Sequence, residues 1–416
     1  VTMTNPLVAK LSESNVEVEM SDVLSNQRWL CANLDMKSSA IEAEMDSMSA
    51  QLSQLKLVAG VKYDMKVEKS IPVVDASLTF SELQAHYTDI VANIQSSDVS
   101  CKLSEAVGQQ PSLQAQISTQ ALRANKSTEY AVITKQVKLK ARATRSEKEN
   151  ENMLLQWNPE LSVDLHDADV HLSAITDVVE IPHINFDYSN QLFDIADSRI
   201  IVGNSDFSLR GKIKNIGDWL ADNGVLNGEL EFTSDHTDVN ELMALTTASE
   251  GTEEEAATNV EPKSTKDERS AYLVPKNVDV KLVTNIQEAL VFDQVAREVG
   301  GQLYVKDGVL VLEEMGFICN AAKLQLTAIY KSPRKNHIYV GLDYHMIDID
   351  MQELVNMIPQ IDTMMPMLRS FRGSGEFHLA AETYTNAKYE LKTSTTRGAC
   401  SITGNNLVLL DSETFG

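Results

Sequence analysis

The densest set of potential ligands in the chain is LHDADVH (165–171), which holds His166, Asp167, Asp169 and His171. On a strand, side chains alternate between faces, so Asp167, Asp169 and His171 share one side. Carboxylates and imidazoles are hard to borderline donors suited to divalent ions. Residues two apart nevertheless extend along a strand rather than converge. The segment therefore reads as a solvated strand face, and no metal site is expected.

Other chemistry is equally sparse. Cys31, Cys101, Cys319 and Cys400 lie far apart, which excludes a zinc ribbon or a thioredoxin-type motif by spacing. Isolated cysteines of this kind behave as small hydrophobes. RGSGEF (372–377) contains only G-x-G and leads into a strand, so it is a turn rather than a phosphate cradle. G-x-S-x-G, H-E-x-x-H and P-loop patterns are absent. The eight histidines are dispersed, without serine or cysteine partners at a recognised spacing. Catalysis needs convergent polar groups, so the expectation is a non-enzyme without a cofactor. The segment IPQIDTMMPMLRSF (358–371) is different in kind: Met364, Met365, Met367 and Leu368 cluster there. Methionine is unbranched and polarizable and adapts to irregular or mobile apolar partners. A gate or plug for such partners, or a cap on the open end of a sheet, fits this composition.

The elements that would carry these residues are strands. Val16 and Val18, Val61 to Val67, and Val137 to Ala143 alternate apolar with polar residues. The same period runs through Phe207, Leu209 and Ile213, through Ile338, Val340, Leu342 and Tyr344, and through Phe377, Leu379, Tyr389 and Leu391. Long alternating strands with one polar face mark antiparallel sheets. Asp307-Gly308, Asn223-Gly224 and Ser332-Pro333 supply turn signals. Two short helices are expected after Asp238 and Asp350, each with Glu three residues on in a capping-box-like start. These two places also align with each other. GELEFTSDHTDVNELMAL (228–245) matches VGLDYHMIDIDMQELVNMI (340–358), each after an earlier strand, FSLRGKIK (207–214) or LQLTAIYK (324–331).

Composition narrows the function classes. The 416 residues carry 60 acidic against 36 basic side chains, a net charge of −24. That field repels phosphate backbones, so nucleic acid is not an expected partner. No run of 18 apolar residues exists to span a bilayer as a helix. The chain opens without an initiator Met or a signal peptide and reads as an excised piece. TTASEGTEEEAATNVEPKSTKDERS (246–270) has no aromatic residue and one β-branched apolar residue, Val260, and reads as a flexible acidic linker. RSEKENEN (145–152) is a second polar break. The organisation expected is an N-terminal β-repeat part (1–157), a β-repeat with a short helix (158–245), the linker (246–270), and a C-terminal β-repeat (271–416).

The order of LFDIADSRIIVGNSDFSLRGKIKNI, GELEFTSDHTDVNEL, LVPKNVDVKLVTNI, GQLYVKDGVLVLEEM, IYVGLDYHMIDIDMQEL and SITGNNLVLLDSETF resembles the C-terminal half of AsmA-like proteins over about 161–416. The resemblance implies a long curled antiparallel β-sheet, a taco-like groove built from repeats, related to TamB and to bridge-like lipid transfer proteins. It further implies a periplasmic protein held in the inner membrane of a Gram-negative bacterium by an N-terminal helix. Its implied role is to carry phospholipid towards the outer membrane in outer-membrane biogenesis. The anchor is absent from this sequence, and the chain stops at SETFG, where the family pattern continues; both membrane-docking ends are missing.

On that reading Phe207, Leu209, Ile213, Leu230, Phe232, Leu303, Val305, Leu324, Leu326, Val340, Leu342, Phe377 and Leu379 line a lipid groove. The alternative is a closed β-sandwich that scaffolds outer-membrane protein assembly through its sheet edges.

Overall fold

A computed structural model describes residues 8–21, 29–45, 47–66, 72–104, 110–127, 129–146, 156–173, 178–241, 272–291, 293–334, 336–357 and 371–409. The acidic linker (246–270) and the Met364, Met365, Met367 and Leu368 cluster lie outside these residues. The chain is mainly β, as the alternation requires, and falls into two compact units: Val1–Gly203 with Ile216–Ala221, and Asn204–Asn215 with Asp222–Gly416.

The first unit is an antiparallel meander. Its strands are β1 (Val8–Ser12), β2 (Asn15–Met20), β3 (Trp29–Met45), β4 (Met48–Asp64), β5 (Val73–Tyr87), β6 (Ile90–Ser104), β7 (Ser112–Lys126), β8 (Tyr130–Thr144), β9 (Pro159–Leu172), β10 (Val179–Ser189) and β11 (Leu192–Val202). A short helix, α1 (Ile216–Leu220), completes it. From β3 to β11 each strand pairs with the next. β1 and β2 both pair with β3, one along each half, and so act as a single interrupted edge strand.

These strands reach 17 residues, beyond the usual 3–10, and one device explains how they stay amphipathic. In β4 the alternating apolar residues are Met48, Ala50 and Leu52, then Leu55, Leu57, Ala59 and Val61, with the exposed Val58 as the exception; the parity of the pattern switches once. β9 does the same between Leu165 and Ala168. The backbone at Gln54, Ser96 and Asp167 has φ of 51°, 48° and 49°, the left-handed region typical of a bulge. A one-residue slip flips every later side chain to the other face, so the parity switch and the bulge together keep one face apolar. Along this line sit the buried residues Ser38, Leu55, Phe80, Ser97, Thr119, Thr134 and Ala168. Buried carbonyls need donors. The Thr119 hydroxyl donates to the Gln95 carbonyl at 3.0 Å, and the Thr134 hydroxyl donates to the His166 carbonyl at 3.1 Å.

The second unit holds β12 (Ser205–Lys214), β13 (Leu226–Asp238), β14 (Val278–Val291), β15 (Gln294–Lys306), β16 (Val309–Ile318), β17 (Lys323–Arg334), β18 (His337–Asp350), α2 (Met351–Met357), β19 (Phe371–Thr385) and β20 (Arg397–Leu409). Again each strand pairs with the next. The β13–β14 pair is parallel, and parallel neighbours need a long crossover connection. Residues 239–277 supply that length. Among the described residues no ladder joins β12 to β20, or β11 to the β1–β2 edge, so each sheet is open.

Both expected helix starts are present. Asp238 accepts hydrogen bonds from the Asn240 and Glu241 amides at 2.9 and 3.2 Å, and Asp350 from those of Gln352 and Glu353 at 2.9 and 3.0 Å. The capping box is only half made in both: the Asp350 amide donates to the Ala321 carbonyl at 2.8 Å rather than to Glu353. In the first, Glu241 reaches instead to Asn204, accepting from its backbone and side-chain amides at 2.9 and 2.8 Å. Because N-cap carboxylates satisfy amides that have no other partner, Asp350→Ala should destabilise the second unit by about 1 kcal/mol. Chemical denaturation read by far-UV circular dichroism measures it.

Several local expectations are corrected. β4 ends at Asp64, before Met65, because the Asp64 carboxylate accepts the Lys66 amide at 3.0 Å and turns the chain; Val67 lies outside the described residues. Asp307-Gly308 does form the β15–β16 hairpin turn, with φ of 50° and 77°. Ser332-Pro333 instead lies inside β17 at a register shift, where proline's missing donor is tolerated. Tyr389 and Leu391 are not part of a strand with Phe377 and Leu379; Leu391 makes only an isolated bridge to Thr385.

Candidate functional site: an apolar sheet face

The register of the second unit decides which side chains share a face, since directly opposed residues point the same way. Leu209 opposes Phe232, and Leu230 opposes Leu282 on β14. Leu282 opposes Leu303, Leu303 opposes Leu312, and the row continues through Ala328 and Leu342 to Ala381. A second row runs from Val280 through Val305, Leu310, Tyr330 and Val340 to Thr383. On the far side of the β16 bulge, Leu324 and Leu326 on β17 oppose Met346 and Tyr344, which oppose Phe377 and Leu379. Phe207 and Ile213 fall on the same face as Leu209 by strand alternation. All thirteen residues picked out by period therefore share one face of this sheet. Alternation also put Leu282, Leu312, Val280 and Met346 within reach of the sequence reading, which did not name them.

Their burial is as informative as their placement. Every one of the thirteen is half-buried; none is buried. Each strand makes its substantial contacts with its ladder neighbours, and α2 adds contacts to β18 and β19. Aromatic side chains pair along the face: Phe207 stacks on Phe232 at 5.7 Å between centroids, and Tyr344 meets Phe377 edge-on at 6.3 Å. Burial among these neighbours pushes the Tyr344 phenol pKa up. Two glycines let the backbone approach closely. At Gly211 (φ 138°) a Cβ would stand 2.2 Å from the Glu229 carbonyl oxygen, and at Gly301 (φ 150°) 2.5 Å from Met315 Sδ.

The opposite face is polar and ion-paired. Arg210 donates to both carboxylate oxygens of Glu231 at 2.9 and 2.7 Å, and Lys306 pairs with Asp279 at 2.6 Å. The Arg210 hydrogen bonds hold the Glu231 carboxyl below its ordinary range. What this pair contributes is present above the ordinary carboxylate pKa and is lost as pH falls through the lowered one. Arg210→Ala should move the Glu231 titration upward, as carboxyl-carbon NMR would record.

Two depressions are measurable. One of about 380 Å³ in the second unit is lined by both polar and apolar residues, among them Thr327, Ile329, Tyr339, Asp343, Ala380 and Glu382. Another, of about 720 Å³ in the first unit, is lined by Lys102, Gln116, Lys140, Arg142 and Glu160.

The histidine–aspartate segment is rearranged relative to its sequence reading. Asp167 sits at the β9 bulge and pairs with Lys135 at 3.6 Å. The convergent groups are Asp164 and His166 on β9 and His183 on β10, which oppose across the ladder at His166–His183. Neither Asp164 nor His183 belongs to the segment that spacing singled out, because cross-strand register is invisible to local spacing.

Fold and face together define a class: an open, repeat-like antiparallel sheet with one apolar and one polar side. No family model, no curated protein and no solved structure matches this chain.

Proposed function

We propose that the apolar face of the second unit binds phospholipid acyl chains, and that the chain is a segment of a periplasmic lipid conduit between inner and outer membranes. The observation that carries this reading is thirteen aligned apolar side chains, all half-buried on one sheet face. A closed sandwich would bury such residues; an open face leaves them for a ligand. Each methylene transferred from water to such a surface gains about 0.8 kcal/mol. The contacts are non-directional, so a tail can slide along the rows without chemistry. The resemblance to AsmA-like proteins supports the same reading, and with it a role in outer-membrane biogenesis, an inner-membrane anchor and docking to both membranes through segments beyond this chain.

The second reading, a scaffold acting through its sheet edge, has one observation in its favour. β20 pairs with β19 and, from Arg397 to Val408, is exposed throughout; such an edge can accept an added strand.

The deciding experiment is native mass spectrometry with lipid extraction on protein purified from a Gram-negative host without detergent. Phospholipid bound at a reproducible ratio supports the conduit. A clean apo mass, with no uptake of lipid from vesicles, overturns it and leaves the edge-strand scaffold.

A further inference from the structure

From the first unit we infer a binding site for one borderline divalent metal ion of the zinc class, formed by Asp164, His166 and His183. The Nε2 atoms of both imidazoles converge on a single carboxylate oxygen, Asp164 Oδ1, at 2.9 Å from His166 and 3.3 Å from His183. One donor atom from each of the three residues lies within 4.8 Å of the others. Zinc takes imidazole nitrogen and carboxylate oxygen at about 2.0–2.2 Å in tetrahedral geometry, which puts neighbouring donors about 3.3 Å apart. The three groups therefore need only small rotamer adjustments to admit an ion, with the fourth position open to water. All three are half-buried, and they stand on neighbouring strands whose register opposes His166 to His183 directly.

The surroundings of His183 carry the inference further. Its Nε2 faces Asp164, and its Nδ1 faces Asp197 Oδ2 on β11 at 3.7 Å. Only the Nε2 contact is within hydrogen-bond reach, and Nδ1 stands beside the Asp197 carboxylate without bonding to it. With a metal on Nε2, Nδ1 carries the ring N–H and a small ring rotation brings it to Asp197. Carboxylates in this outer position commonly orient metal-bound histidines. His166 stacks on His183 at 4.4 Å between centroids, which sets the two imidazoles side by side as donors. Opposed residues on the same face are Gln136 and Lys138 on β8, Asn185 on β10, and Arg199 on β11. Two imidazoles among three donors select zinc, copper or nickel over magnesium or calcium.

Zinc titration of the full chain against a chromophoric chelator tests this, with cobalt absorption reporting the coordination geometry. One zinc per chain is expected, with a tetrahedral cobalt spectrum. Asp164→Asn, His166→Ala and His183→Ala should each weaken binding at least about 100-fold, and Asp197→Asn about 10-fold. His171→Ala, in the segment that spacing favours, should leave binding unchanged. Circular dichroism confirms that each variant is folded, and Asp164→Asn is nearly isosteric should a histidine variant fail to fold. No stoichiometric zinc at micromolar concentration, or zinc retained by the Asp164→Asn/His166→Ala/His183→Ala variant, overturns the site. The cluster is then a hydrogen-bonded His–Asp–His group that holds no metal.

Discussion

Leu342→Asp is expected to leave the chain folded and to reduce bound phospholipid at least about tenfold, a change equivalent to about 1.4 kcal/mol. Leu342 sits at the middle of β18, opposed by Ala328 on one side and Ala381 on the other. Two alanines leave room for water around a carboxylate, so a charge there stays hydrated in the free protein. An acyl chain lying along the row would strip that water, and an unpaired charge against hydrocarbon costs several kcal/mol. The effect therefore appears in the bound state and not in folding. In a closed core the same substitution would unfold the unit, because the charge would be buried in every molecule. Thr327→Asp on the opposite face is the control and should retain lipid. Lipid lost with the thermal transition preserved supports the groove. A collapsed transition, or lipid retained in Leu342→Asp, refutes it.

Legibility in the sequence follows the range of the interactions. Strand alternation is local, so β12, β18 and most of β19 could be read directly from Phe207, Ile338 and Phe377 onward. The Asp238 and Asp350 caps were legible for the same reason, since the acceptor and its amides lie within three residues. Bulges were not: at Gln54 and Asp167 the alternation breaks, and a broken pattern looks like two short strands rather than one long one. Ser332-Pro333 misled because a turn dipeptide and a bulge dipeptide have the same composition. The alignment of the thirteen apolar residues depended on the seven ladders from β12 to β19, which local period cannot specify. Asp164, His166 and His183 needed one more step, a direct cross-strand pairing between segments 17 positions apart, the arithmetic difference between 183 and 166.

Ile338→Ala should cost about 2–5 kcal/mol, while Leu342→Ala on the same strand and face should cost about 1 kcal/mol or less. Ile338 is 0% exposed; Leu342, four residues along, is half-buried. The price of a large-to-small change is the transfer energy of the lost methyl groups plus the cavity left behind. At Ile338 the surroundings enclose the side chain, so both terms apply. Leu342 is only half-buried, so an enclosed cavity is not expected there and only part of the transfer energy is lost. The gradient along β18 is thus a direct test of whether the apolar face is covered. Urea denaturation of the two variants, with the slopes compared to wild type, measures it. Equal losses at both positions would mean that something packs over Leu342 and that the face is a core. A large loss at Ile338 alone would place the stability of β18 at its start and leave the rest of its apolar face free for a ligand.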